Sequence, residues 1–163
     1  MLYNLHGYFK RRFGDGTVEF KLGEKGVQLA MENSAPFYRI DAPKMLEAVA
    51  LSEDRRVMLL LLTRSDTKSP FYHAIVRIRL RDSEPPEIRE LMPGSSPDFN
   101  AKGIWVSELG AVSKDGRTAL LRLSRPHRRG GPSDVLYYYY EWQTWDIEAP
   151  KKISEGLRMG NSP

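Results

Sequence analysis

An internal repeat constrains the fold of this 163-residue chain more than any other feature of its sequence. Residues 52–64, SEDRRVMLLLLTR, return as residues 113–125, SKDGRTALLRLSR, with seven of thirteen positions identical and no gap. Self-similarity at a spacing of tens of residues is typical of a supersecondary unit that is used more than once. The repeat therefore predicts a fold built from similar units, and it says much less about function.

Both copies continue in the same way along the chain. Each is followed by a polar loop, a β-rich run and a charged turn that contains proline, and a third copy of that ending stands at residues 38–46 as YRIDAPKML. The period-2 alternation and the turn residues predict strands. These strands are expected near residues 47–51, 56–63, 71–80, 104–112, 117–124 and 135–147.

Three local patterns add detail to this prediction. Leu59–Leu62 is apolar on both faces, which indicates a strand packed on both sides, whereas Arg77 alternates with apolar residues and indicates a half-buried strand. We expect Leu59, Leu120 and Leu123 to be core residues. The alternative for the first predicted strand is a helix through residues 44–52, with Asp41 as N-cap and Pro43 in its first turn.

The Asp-containing phrases predict tight turns at Glu53–Asp54 and Asp115–Gly116. An Asp side chain at such a turn can accept hydrogen bonds from backbone amides two residues further on. Gly116 can adopt a positive φ at no steric cost. Because Arg55 stands where the other copy has Gly116, a different turn type is expected in the first copy.

SKDGR at residues 113–117 resembles the S-x-D-G-[RK] turn of the WD40-like repeats in TolB-type and oligopeptidase-type β-propellers. The resemblance implies an all-β fold of antiparallel, blade-like β-meander repeats, as a partial β-propeller or an open β-sheet assembly. It divides the single domain of residues 1–163 into four regions. These are an N-terminal hairpin region at 1–45, blade-like repeats at 46–92 and 104–153, and a polar tail at 154–163 that we expect to fray.

Composition excludes several classes of protein. The chain has no cysteine, which removes disulfides and thiolate metal sites, and its three histidines lack metal-ligand spacing. No cofactor, metal site or catalytic motif is predicted. No apolar run approaches the roughly 18 residues of a membrane helix, so no membrane span is expected. A cytoplasmic location is favoured because no signal peptide is visible.

Two neighbouring segments carry the candidate binding residues. Residues 126–133 form a predicted exposed loop with arginines beside two glycines, and the run YYYYEWQTW at 137–145 predicts an aromatic strand. If one face of that strand is core, the other presents aromatic rings with Glu141 and Gln143 among them. The alternative is that both faces are buried. The candidate ligand-binding residues are Arg125, His127, Arg128, Arg129, Tyr138, Tyr140 and Trp142.

These features favour a non-catalytic binding or assembly module, with a protein partner or self-association. The net charge of +4 is unevenly distributed, since residues 117–131 contain five arginines and no acid. The first alternative is therefore a binder of polyanions or single-stranded nucleic acid, in which rings stack on bases beside cations. The second alternative is a carbohydrate-binding or carbohydrate-active protein that uses the aromatic rings alone.

Overall fold

A computed structural model of the chain describes residues 7–23, 26–41, 44–64, 73–91, 105–128, 136–149 and 151–160, and these residues form twelve β-strands and their turns. The all-β prediction is confirmed. The strands are β1 (Gly7–Phe13), β2 (Gly16–Gly23), β3 (Gly26–Met31), β4 (Pro36–Asp41), β5 (Lys44–Leu51), β6 (Val57–Arg64), β7 (His73–Arg81), β8 (Glu84–Leu91), β9 (Trp105–Val112), β10 (Thr118–Arg128), β11 (Leu136–Asp146) and β12 (Lys151–Gly160).

The strands form three four-stranded antiparallel sheets, and each sheet is a meander in chain order. The first sheet contains β1–β4, the second β5–β8 and the third β9–β12. The six strands expected from the sequence are present, and β5 rules out the alternative helix at residues 44–52. The expectation of a frayed tail is wrong for residues 154–160, because their backbone pairs with the tyrosine-rich strand β11.

The two repeated turns are held by the same set of hydrogen bonds. Ser113 donates its hydroxyl to the Asp115 carboxylate at 2.5 Å, and that carboxylate accepts the amide of Arg117 at 3.0 Å. Ser52 and Asp54 repeat both bonds at 2.6 and 3.1 Å. The serine hydroxyl and the following amide lower the pKa of Asp115, because both stabilise its charged form. The sequence echo therefore encodes one turn structure that is used twice.

Arg55 adopts the conformation for which glycine was expected. Its φ is 56°, and the φ of Gly116 in the other copy is 68°, so the prediction of a different turn type is wrong. A positive φ costs a non-glycine residue about 1 kcal/mol. The bonds of Ser52 and Asp54 fix the turn, and the Arg55 carbonyl also accepts the amide of Gly14 at 2.8 Å. These bonds offset the local strain.

The second sheet lies between the other two and is covered on both faces. Leu60 and Val76 pack with the first sheet in one apolar cluster, whereas Leu59 and Ile75 pack with the third sheet in another. Residues 57–62 are all at most 1% exposed, which confirms the prediction of a strand packed on both sides. Each outer sheet therefore has one covered face and one face that no other described sheet covers.

This arrangement decides which predicted core residues are buried. Leu59 and Leu123 are in the core, as expected. The prediction for Leu120 is wrong, because it lies half-buried on the outer face of the third sheet while its neighbour Leu121 is fully buried. The prediction of a half-buried strand at Arg77 is also wrong, since the third sheet covers that face and leaves Arg77 only 1% exposed.

Candidate functional site

The register of β10 and β11 places the predicted binding residues on two adjacent strands. Tyr140 lies opposite Ser124, and Trp142 lies opposite Arg122. The prediction of a loop at 126–133 is wrong for residues 126–128, which extend β10 because the tyrosine run supplies a pairing strand. For Arg125, His127, Arg128 and Tyr138 the structure describes the backbone, which pairs within this ladder, and Arg129 lies outside the described residues.

The buried face of β11 is the one that carries Glu141 and Gln143. One of the sequence-based alternatives had made that face the exposed one. Glu141 and Gln143 are 5% and 0% exposed and face inward, level with the core residues Leu123 and Leu121. Tyr140 and Trp142 lie half-buried on the outer face. The interpretation that placed Glu141 and Gln143 on the exposed face is therefore wrong. Alternation alone could not decide the face, because aromatic residues occur on both sides of this strand.

On the outer face of the third sheet, Arg122 contacts both an aromatic ring and a carboxylate. Its guanidinium carbon lies 4.1 Å from the ring centroid of Tyr140, within the range of a cation–π contact. Its Nη1 also donates to the Glu108 carboxylate at 2.7 Å across the β9–β10 ladder. The charge of this arginine is therefore balanced by a carboxylate, and its guanidinium lies over a ring.

Leu120 and Trp142 form the apolar part of the same face, directly above the backbone of β9. A Cβ placed on Gly110 would lie 3.0 Å from both the Leu120 Cδ2 and the Trp142 Cζ3 atoms. Such a distance is tighter than most Cβ contacts, so a larger residue would push the leucine or the indole outward, and glycine lets both rest on the sheet. We name the surface formed by Leu120, Arg122, Tyr140, Trp142 and Glu108 the aromatic face.

The aromatic face occupies positions that are buried between sheets elsewhere in the protein. Three backbone hydrogen bonds of 2.8–2.9 Å mark the same point in each sheet: Glu32 N to Thr17 O, Leu80 N to Arg56 O and Ile147 N to Arg117 O. Leu120 lies three residues after the residue whose carbonyl accepts this bond. The residues at the same distance are Leu59 in the second sheet and Phe20 in the first. Both of these residues are 0% exposed, because each packs against the following sheet.

Trp142 lies five residues before the residue whose amide donates this bond. The residues at the same distance are Ile75 in the second sheet and Val27 in the first, and they are 1% and 4% exposed. Both lie in the apolar clusters between successive sheets. The aromatic face is therefore the face that, in the two preceding sheets, receives the next sheet.

The outer face of the first sheet has a different chemistry. Glu19 corresponds to the buried Met58 of the second sheet, but it accepts hydrogen bonds from Tyr8 and is 3.2 Å from Lys10. The hydrogen bond from Tyr8 lowers the pKa of Glu19, and the bond to Glu32 raises the pKa of Lys10. This surface is charged, and no other described sheet covers it.

Sequence reasoning missed Glu108 and Gly110, which complete the aromatic face from β9. Neither residue belongs to a motif, and their roles depend on the cross-strand register.

Among the described residues, no group of three or more His, Cys, Asp or Glu side chains could hold a metal ion. The described part of the chain also contains no helix of the length and hydrophobicity that a membrane span requires. A scan against protein-family models and searches of curated proteins and of solved structures gave no match to this chain.

Proposed function

We propose that this protein is a non-catalytic assembly module whose aromatic face docks against the aromatic face of a second copy of the chain. The observation that carries the proposal is the position of Leu120 and Trp142. The residues at the same positions in the first two sheets, among them Leu59 and Ile75, are buried by a following sheet. A sheet supplied by another molecule would also cover the third sheet, although in the proposed dimer two like faces meet and within the chain unlike faces do.

A second copy is favoured over a charged partner by the chemistry of the surface. The Arg122–Glu108 pair leaves the described part of the aromatic face without excess charge, so two such faces meet without like-charge repulsion. Aromatic residues and arginine are also enriched at the centres of protein interfaces. A twofold interface needs a self-complementary surface, and this face offers rings, a leucine and a balanced ion pair.

A head-to-tail arrangement is disfavoured by the other outer face. It would place Trp142 and Leu120 against Lys10, Glu19 and Glu32 of the first sheet, which already pair with one another. Covering those charges would remove their hydration without supplying better partners. The dimer proposed here therefore consists of six sheets with the two charged faces at its ends.

The resemblance to WD40-like, TolB-type repeats supports the same proposal. We interpret the three sheets as blades, because each is a four-stranded antiparallel meander and two of them join their first two strands through the same Ser-x-Asp turn. Blades in a propeller bury both faces against their neighbours. The outer face of the third sheet, which carries Leu120 and Trp142, is then a surface suited to packing against a further sheet.

Polyanion binding and carbohydrate binding stay predictions with less support on this face. Arg122 is the arginine of the aromatic face, and its bond to Glu108 leaves it poorly placed to bind a phosphate. The same guanidinium lies over the Tyr140 ring, where a sugar would have to stack. Titration with a single-stranded oligonucleotide at low salt tests the first alternative, because electrostatic binding is strongest there.

The mass of the protein in solution tests the proposed dimer. Sedimentation velocity is expected to give twice the chain mass of 18.7 kDa for the native protein. Trp142→Lys is expected to weaken the dimer at least about 30-fold, because truncated central aromatic residues cost about 2 kcal/mol or more.

The matched control for this experiment is Tyr8→Lys. Tyr8 is 53% exposed on the outer face of the first sheet, so the same chemical change there is expected to leave the dimer intact. A native protein that sediments as a monomer throughout the micromolar range would contradict the proposal. Equal effects of the two substitutions would contradict it as well.

A further inference from the structure

A row of uncommitted hydrogen-bond donors crosses the outer face of the first sheet. Lys21 on β2 lies opposite Gln28 on β3, and Gln28 lies opposite Arg39 on β4. Residues directly opposite one another on neighbouring strands share a face of the sheet, so the ammonium, the amide and the guanidinium belong to the same surface. Lys21 and Arg39 are exposed, and Gln28 is half-buried.

The next row along the same face is formed largely by glycine. Gly23 lies opposite Gly26, which in turn lies opposite Asp41 at the β4 edge. A Cβ placed on Gly23 would have no atom within 4 Å, so the space above this glycine is open. A cavity of about 380 Å³ lies here, lined by residues 21–23, 26–28 and 39–40. This volume is within the range of small-molecule sites.

No described acidic side chain accepts a hydrogen bond from the donors of this row. Among the described residues, no ion pair or side-chain hydrogen bond involves Lys21, Gln28 or Arg39. Glu19 is the adjacent acid on the same face of β2, but Tyr8 and Lys10 engage its carboxylate. Lys10, Glu19 and Glu32 pair with one another elsewhere on the face, whereas this row brings two cations without a described partner close together.

We propose that Lys21, Gln28 and Arg39 bind the phosphate group of a small phosphate monoester in the hollow above Gly23 and Gly26. Two cations match the charge of about −2 that a phosphate monoester carries near neutral pH. The Cα atoms of Lys21 and Arg39 are two strand spacings apart, roughly 10 Å, so both long side chains can reach a group above Gln28.

The three donors divide the recognition of the phosphate. Arg39 can donate two parallel hydrogen bonds to phosphate oxygens, Lys21 supplies a compact charge, and the Gln28 amide donates from between them. The glycines leave room for the tetrahedral group close to the backbone.

Titration with inorganic phosphate and with a nucleoside 5′-monophosphate, at constant ionic strength, tests the site. We expect saturable shifts of the Gln28 side-chain amide and the Gly23 amide in two-dimensional NMR spectra. Equal affinity for both probes identifies a site for the phosphate group alone, and tighter binding of the nucleotide identifies a site for an organic ester. Absence of saturation up to roughly 50 mM, well above the millimolar range of weak sites, would overturn the proposal.

Matched variants separate a built site from general electrostatic attraction. Arg39→Gln and Lys21→Gln are each expected to weaken binding about tenfold, as for the loss of one charged hydrogen bond. Arg12→Gln makes the same charge change at the other end of the same face and is expected to change binding less than about twofold. Equal effects of Arg12→Gln and Arg39→Gln would overturn the proposal.

A further variant fills the hollow without touching the donors. Gly23→Val fills the open space and is expected to abolish binding while the melting temperature is retained, because nothing lies within 4 Å of the added Cβ. If Gly23→Val binds phosphate as well as the native protein does, the proposed position of the ligand is wrong.

Discussion

Replacing Gly116 by alanine is expected to lower the free energy of unfolding by about 2–4 kcal/mol. The φ of 68° costs a residue with a Cβ about 1 kcal/mol. The new Cβ would also lie 2.8 Å from both the Arg77 Cδ and the Val57 Cγ1 atoms of the second sheet. Relieving such overpacking costs typically 1–3 kcal/mol more. Chemical denaturation measures the sum of the two effects.

The repeat supplies a matched control for Gly116→Ala. Arg55→Ala makes the same backbone position alanine in the other copy, and Arg55 already has a positive φ and is exposed. Its expected change is within about 0.5 kcal/mol, as for surface substitutions that remove no specific contact. If both alanine variants lose the same stability, the close packing of the third sheet's turn on the second sheet is wrong.

Replacing Arg77 by alanine is expected to cost about 3 kcal/mol, as for the truncation of a large buried side chain together with the loss of its hydrogen bonds. The side chain is 1% exposed and joins the second sheet to the third. Its Nη1 lies 2.9 Å from the Glu148 carboxylate and donates to the Gly116 carbonyl at 3.2 Å. Alanine would leave a cavity and would remove the donor from these two acceptors and from Glu87, to which the Arg77 Nη2 donates at 3.5 Å. Thermal or urea unfolding measures the loss.

Arg89→Ala is the control for this effect, because Arg89 contacts the same Glu148 carboxylate at 3.2 Å from a 55% exposed position. Exposed ion pairs contribute between about 0 and 1 kcal/mol. The expected loss for Arg89→Ala is therefore below about 1 kcal/mol. A loss as large as that of Arg77→Ala would show that the carboxylate, and not the buried guanidinium, connects the two sheets.

Strands and turns could be predicted from this sequence because their causes are local. Alternation at Val76 and Ile78, the continuous apolar run of β6 and the Ser-x-Asp phrases each specify structure within about ten residues. The alternative helix at residues 44–52 failed because β5 pairs with the buried strand β6. Tertiary pairing outweighs the capping signal of a marginal helix.

The candidate site was predicted less completely because it depends on contacts between distant strands. Tyr140 and Trp142 were identified, but which face of β11 points outward is decided by how the third sheet packs on the second. Glu108 and Gly110 carry no sequence signal and join the site only through the register of β9. Arg77 seemed to belong to an exposed face until the position of the third sheet showed that it is buried.

Distances between spin labels in the dimer test the proposed assembly most directly. The chain has no cysteine, so a single cysteine at Thr144 or at Lys21 carries one label per chain. Thr144 lies on β11 beside the aromatic face, opposite Leu120. Since packed sheets lie about 10 Å apart, labels at Thr144 are expected roughly 15–30 Å apart and labels at Lys21 roughly 50 Å apart. Absence of dipolar coupling at Thr144, or a shorter distance at Lys21 than at Thr144, would contradict docking through the aromatic face.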